Sequence, residues 1–157
     1  GLVLISATAG IPRAEERLIR LEADKDLGTW IIENGTEAFC DLWAKLPIIA
    51  SQSTIVSPYR ERLMQRKKNN SARGLQRSLL GMGTGAMQPL WGRLSEIAVP
   101  TLVVVGEQDS KYLDLGQQLL TGLPHARLCV IPNVGHCAHL EKPTGFAQHF
   151  EEFVLGL

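Results

Sequence analysis

Two short stretches of this chain carry residue types suited to proton chemistry. One is GEQD, residues 106–109, which ends the apolar run TLVVV. The other is NVGHCAHLEKP, residues 133–143, which follows the apolar run ARLCVI. An imidazole serves as a base near neutral pH when one ring nitrogen faces the reacting atom and an acceptor holds the other. Asp109 is the candidate acceptor for His136, where it would set the tautomer and stabilise the imidazolium as it forms. Gly135 lets the backbone turn tightly just before the histidine. Plainer roles stay open: Asp109 can cap the helix that follows it, and His136 can be an ordinary hydrogen-bonded loop residue. His139, beside Leu140 and Glu141, suits ordering of the loop better than reaction. Cys137 could act as a thiol nucleophile, but adjacent loop residues rarely aim at the same atom. His136 and His139 lack further ligands at metal spacing, so no metal site is expected.

The acid and the histidine meet only if their two apolar runs are neighbouring parallel strands. Residues 101–109 read as a strand and 111–122 as a helix with Leu115, Leu119 and Leu120 inward. ARLCVI begins a second strand. Pro143 opens a last helix whose Phe146, Phe150, Phe153 and Val154 would form the inward face. This strand–helix–strand–helix order implies parallel strands with right-handed crossovers. LVLIS, residues 2–6, is a third strand, apolar throughout as expected of burial on both faces.

Residues 11–98 are helix after helix. Pro12 suits a first helical position, with Glu15 and Glu16 in the first turn. Arg13, Arg17 and Arg20 share one face, Leu18 and Leu21 another. Thr36 is a candidate cap for the stripe Phe39, Leu42, Trp43 and Leu46, which ends before Pro47. Ser57–Pro58 opens another helix, closed by Asn69–Asn70, and Ser71 caps one running to Leu80. GMGTGAM reads as a flexible connector. The expected organisation is therefore a core strand and turn over 1–10, a helical insertion over 11–98, and a strand–helix–strand–helix unit over 99–157. An insertion after the C-terminal end of a strand stands where open α/β sheets bind ligands, the position of a lid.

Composition narrows the partners. Sixteen basic and sixteen acidic residues cancel, and the pI is about 7.1. That gives no support to a nucleic-acid surface or an anionic membrane surface. No apolar stretch reaches the roughly 18 to 20 residues that span a bilayer. Cys40, Cys129 and Cys137 are odd in number and form no CxxC, which fits a reducing compartment.

The pair GEQD and GHCAHLEKP, acid before histidine, resembles the C-terminal part of α/β-hydrolase-fold proteins, with their GH..HLE.P pattern. The stretches SATAGI, RAEERLIRLEADKD, FCDLWAKLPIIAS, RLMQRKKNN and GMGTGAMQPLWGRL resemble the MenH family, from Leu2 to Phe153. These are the 2-succinyl-6-hydroxy-2,4-cyclohexadiene-1-carboxylate synthases of menaquinone and phylloquinone biosynthesis. The resemblance implies an α/β fold: the C-terminal part of an α/β-hydrolase fold, parallel strands with a helical lid inserted between them. It implies a cofactor-independent lyase that eliminates pyruvate from a small polycarboxylate, a succinyl-enolpyruvyl-hydroxycyclohexene carboxylate, in the cytoplasm or a plastid stroma. Asp109 and His136 fall on the family's triad acid and histidine. Arg20 and Arg66 fall on arginines that bind substrate carboxylates, and Trp43 on a tryptophan of the lid pocket. On their own spacing, Arg20 could equally be a solvated residue paired with Glu16. Arg66 could belong to a solvated run, since residues 60–77 hold seven Lys or Arg and one Glu. Trp43 could simply pack.

The chain contains no G-x-S-x-G, and none of its eight serines stands in a strand–elbow–helix context. The resemblance places that serine and part of the oxyanion hole upstream. The expectation is thus the C-terminal portion of a longer protein, inactive without its N-terminal portion as partner. Two other functions stay open: a hydrolase of the same fold acting on esters or on carbon–carbon bonds of diketones, and a non-catalytic module on a truncated scaffold.

Overall fold

The computed structural model describes residues Gly1–Leu157. Its contacts divide the chain into two compact units. One comprises residues 1–9, 47–55 and 90–157; the other comprises 10–46 and 56–89. The division cuts the helical block of the sequence reading, because residues 47–55 and 90–98 group with the strands.

The first unit is built on a three-stranded parallel sheet in the order β1-β2-β3. β1 is Leu2–Ile5, β2 Thr101–Gly106 and β3 Ala126–Ile131. Leu2 pairs with Thr101 and Thr101 with Ala126, so the three strands run level. β2 is central and buried along its whole length. Its side chains alternate between the two faces of the sheet. Leu102 and Val104 pack with Cys129, Ile131, Ala138 and Phe153. Val103 and Val105 pack with Leu94, Leu119 and Leu123. Each buried valine, leucine, isoleucine or phenylalanine among them stabilises by about 1.5–3 kcal/mol. α5 (Ser110–Gly122) and the 3-10 turn Trp91–Glu96 cover one face; α6 (Ala138–Glu141) and α7 (Pro143–Leu155) belong to the other. α2 (Pro47–Ala50) and a 3-10 turn, Ser51–Thr54, complete the unit.

The inward face of α7 is narrower than its sequence suggests. Phe153 is buried and Phe146 packs on the core, but Phe150 and Val154 are 40% and 46% exposed. At 100° per residue Phe153 lies about 20° to one side of Phe146, whereas Phe150 and Val154 lie about 40° and 80° to the other. Phe150 therefore stacks on Phe146 at the rim, with ring centroids 6.0 Å apart.

The helical unit contains α1 (Ala14–Trp43), α3 (Tyr59–Lys68) and α4 (Ala72–Met82). α1 is two arms joined at Gly35, whose φ of 83° and ψ of 172° are not helical. A side chain would strain that conformation, which is why glycine stands there. Thr36, expected to cap the second arm, instead donates its hydroxyl to the Lys68 carbonyl at 2.9 Å. Ser71 does cap α4, accepting from the Gly74 N–H at 3.3 Å. Leu18, placed on an apolar face of α1, is exposed. GMGTGAM is packed rather than a loose connector. A Cβ on Gly85 would stand 2.5 Å from the backbone nitrogen of Leu21, so this turn lies directly on the α1 backbone. No helix is long and apolar enough to cross a membrane.

Candidate active site

β2 ends at Gly106, and three residues later Asp109 opens α5 as its cap residue. β3 ends at Ile131, and the loop after it carries His136. Because the strands are parallel and level, both loops emerge at the same edge of the sheet. There His136 Nδ1 donates to Asp109 Oδ2 at 2.7 Å. A carboxylate only accepts, so the ring proton sits on Nδ1 and Nε2 is left for chemistry. The other oxygen, Oδ1, accepts the Tyr112 N–H at 3.4 Å. Asp109 is thus both the helix cap and the partner of the imidazole, one oxygen for each. It is 8% exposed, whereas the His136 side chain keeps 23% of its surface. The acid is sheltered and the base is reachable.

Four further contacts hold the histidine. Ser6, just past β1 and in the left-handed region at φ 43°, donates its hydroxyl to the His136 carbonyl at 2.7 Å. The Tyr112 ring lies 4.5 Å from the imidazole, centroid to centroid. Glu141 grips the loop on both sides of His136: Oε2 accepts from the Gly135 N–H at 2.7 Å and Oε1 from the Cys137 N–H at 3.1 Å. Oε1 also accepts the Ser51 hydroxyl at 3.0 Å. Gly106 permits the approach of the loop, since a Cβ there would stand 2.0 Å from the Gly135 carbonyl. Sequence reasoning did not single out Ser6, Ser51, Tyr112 or Glu141. Only Glu141 left a trace, as the acid of the HLE motif.

A cavity of about 270 Å³ opens beside the pair. It is lined by Pro47, Ile48, Ala50, Ser51, Gln108, Asp109, Gly135 and His136. Neither serine near the histidine completes a relay with it. Ser51 gives its hydroxyl to Glu141, and Ser6 gives its own to a backbone carbonyl. Cys137 Sγ accepts from Gln52 Nε2 at 3.0 Å. His139 packs edge-on against Phe146, and its buried Nδ1 has no hydrogen-bond partner. Burial pushes its imidazole below the ordinary value, with Glu141 pulling the other way and His136 adding to the drop. No group of three His, Cys, Asp or Glu is placed to hold a metal ion.

A protected acid, an oriented imidazole and an adjoining cavity meet at the C-terminal edge of a parallel sheet, an arrangement able to carry a proton. The sequence model of the α/β-hydrolase fold matches residues 1–143. The chain belongs to the α/β-hydrolase fold family. Within that family it is similar to a Bacillus subtilis protein provisionally named 2-succinyl-6-hydroxy-2,4-cyclohexadiene-1-carboxylate synthase. The two are 36% identical over 156 residues, 99% of this chain and 57% of the relative. The synthase of that name from Salmonella newport is 31% identical over 150 residues, 92% of this chain and 54% of its own length. The solved structure of MenH from S. aureus superposes with a TM-score of 0.96 at 30% identity, over 99% of this chain and 58% of that one. The chain spans a little over half the length of these relatives.

The other three residues marked by sequence lie in the helical unit. Arg20 is on the first arm of α1, its Nε 2.9 Å from Asp24 Oδ1. Glu16, the partner its spacing suggested, pairs with Arg13 at 3.4 Å. Trp43 is the last residue of α1, with its ring 5.2 Å from that of Phe39. Arg66 is exposed in the last turn of α3. No hydrogen bond, ion pair or ring contact joins these three to one another.

Proposed function

We propose that this chain is the acid- and histidine-bearing part of a 2-succinyl-6-hydroxy-2,4-cyclohexadiene-1-carboxylate synthase. The reaction is a cofactor-independent elimination. A hydroxyl relayed through His136 removes a ring proton, the electron pair forms a new C=C bond, and the C–O bond to the enolpyruvyl group breaks. Pyruvate leaves as its enolate and takes up a proton. Asp109 holds the tautomer and offsets the charge as His136 becomes imidazolium. The hydroxyl is that of a serine outside these 157 residues, on an N-terminal portion that joins the sheet. Arg20 and Arg66 bind substrate carboxylates with paired hydrogen bonds, and Trp43 lines the pocket, on helices that act as a lid. The reducing setting of such biosynthesis, cytoplasm or plastid stroma, matches three cysteines that form no disulfide.

What carries this assignment is the likeness to MenH from S. aureus, a TM-score of 0.96 at 30% identity over 99% of the chain. The intact protein should release pyruvate from the succinyl-enolpyruvyl substrate at a rate that collapses in His136→Ala. It should turn over p-nitrophenyl esters poorly. Fast ester hydrolysis without pyruvate release would transfer the assignment to a hydrolase of the same fold. Absence of both activities would leave a non-catalytic module.

A further inference from the structure

Arg20 is exposed, yet the carboxylate it pairs with is not. Asp24, one turn along α1, is 2% exposed. Its Oδ1 receives the Arg20 Nε–H at 2.9 Å, while its Oδ2 is buried with no hydrogen-bond partner. The turn after α4 closes over that oxygen. A Cβ on Gly83 would stand 2.6 Å from Oδ2, and the Gly85 contact with Leu21 pins the same turn to α1. A carboxylate in such a place is costly unless its lone pairs are filled, and a well-packed apolar residue is often at least as stable there. An i,i+4 ion pair formed for helix stability gains most simply at the surface, where neither group is desolvated. The stability of α1 therefore gives no reason for an acid at position 24.

The geometry of the guanidinium supplies one. Asp24 occupies the Nε edge, and Nη1 and Nη2 take no protein partner. Anchoring through Nε sets the plane of the group and leaves the end-on edge, whose two parallel N–H donors match a carboxylate. We infer that Asp24, held down by the Gly83–Gly85 turn, is a positioning residue that presents the end-on edge of Arg20 to a substrate carboxylate. This rests on the role proposed above for Arg20.

Two opposing effects of Asp24 can be separated. Its charge weakens the attraction of Arg20 for an anion; its hydrogen bond holds the side chain ready. Asp24→Leu removes both, and Asp24→Asn removes only the charge, because the amide oxygen still accepts from Nε–H. In the intact enzyme Asp24→Leu should raise KM for the succinyl-enolpyruvyl substrate about three- to tenfold, the cost of immobilising one long side chain on binding. Its kcat should stay within twofold, as for an interaction made equally in ground and transition states. Asp24→Asn, which keeps the hydrogen bond and loses the opposing charge, should show a KM at or below the wild-type value. Asp24→Leu combined with Arg20→Ala should be no worse than Arg20→Ala alone. A slowly exchanging Arg20 Nε–H signal in the nitrogen-15 spectrum should survive Asp24→Asn and vanish in Asp24→Leu. Unchanged KM in Asp24→Leu, or penalties that multiply in the double variant, would overturn the inference while the functional assignment stood. An intact wild-type protein that released no pyruvate would overturn that assignment, and the substrate role of Arg20 with it, whatever the spectrum showed.

Discussion

Glu141→Gln tests what holds the histidine in place. The native carboxylate takes the Gly135 N–H at 2.7 Å, the Cys137 N–H at 3.1 Å and the Ser51 hydroxyl at 3.0 Å. Glutamine keeps one acceptor oxygen and puts an NH₂ where the other stood. With that oxygen toward Gly135, the new donor faces the Cys137 N–H, also a donor. The Ser51 hydroxyl can rotate to accept, but one backbone N–H loses its partner. Replacing charge-assisted hydrogen bonds by neutral ones costs about 1 kcal/mol, and an unsatisfied donor away from water about 1–3 kcal/mol more. The expected loss is about 2–4 kcal/mol. Urea unfolding of the intact protein would read it as a lower midpoint at unchanged slope. Loosening of the loop should also lower kcat, on the order of ten- to a hundredfold, as small misplacements of catalytic groups do. A loss under about 0.5 kcal/mol with kcat unchanged would show that the loop keeps its shape without the carboxylate.

Three other outcomes follow from the same geometry. Asp109→Asn should leave the fold intact but cut kcat on the order of 10³- to 10⁴-fold, because the amide can favour the wrong tautomer of His136; activity within tenfold of wild type would remove Asp109 from the relay. Gly106→Ala should destabilise by about 3 kcal/mol or more, since its Cβ would meet the backbone carbonyls of Gly135 and Val134 at 2.0 and 2.5 Å; a soluble variant with an unshifted urea midpoint would contradict the packing described. His139 has its imidazole depressed by burial below the ordinary 6.5, so the unfolded chain binds the proton more readily and stability falls as pH drops below about 6.5. His139→Phe should flatten that part of the urea midpoint against pH, and an unchanged slope between pH 5 and 6.5 would exclude His139 as its source.

The acid–histidine pair was legible in the sequence because its determinants are local. An apolar run that stops at a turn fixes a strand end, and two such runs separated by one helix bring their ends together. The helical stretches were legible for the same reason, and Ser71 caps α4 as its position suggests. What was not legible depends on distant partners. Asp24 lies in the charged run RAEERLIRLEADKD and has nothing in its neighbours to mark it as buried; the turn that covers it is about 60 residues away. Thr36 has the look of a cap, but Lys68 offers its hydroxyl a carbonyl. Residues 47–55 follow an amphipathic helix and continue its composition, yet they line the cavity beside His136 and bind Glu141 through Ser51. The inward stripe of α7 was drawn too wide because apolar periodicity marks a direction and does not say where the covering surface stops.

Three strand tips each contribute to the fixing of one imidazole: Ser6 beyond β1 holds its carbonyl, Asp109 beyond β2 holds its ring, and the loop beyond β3 carries it. A slip of one residue between any two strands would shift one tip by about 3.3 Å and turn its side chains to the opposite face. No 2.7 Å hydrogen bond survives such a displacement. The alignment of the sheet is therefore a gauge for the chemistry. A chain that folded with its strands misaligned by a single notch could look native in helix content and compactness and still lack the acid–imidazole hydrogen bond.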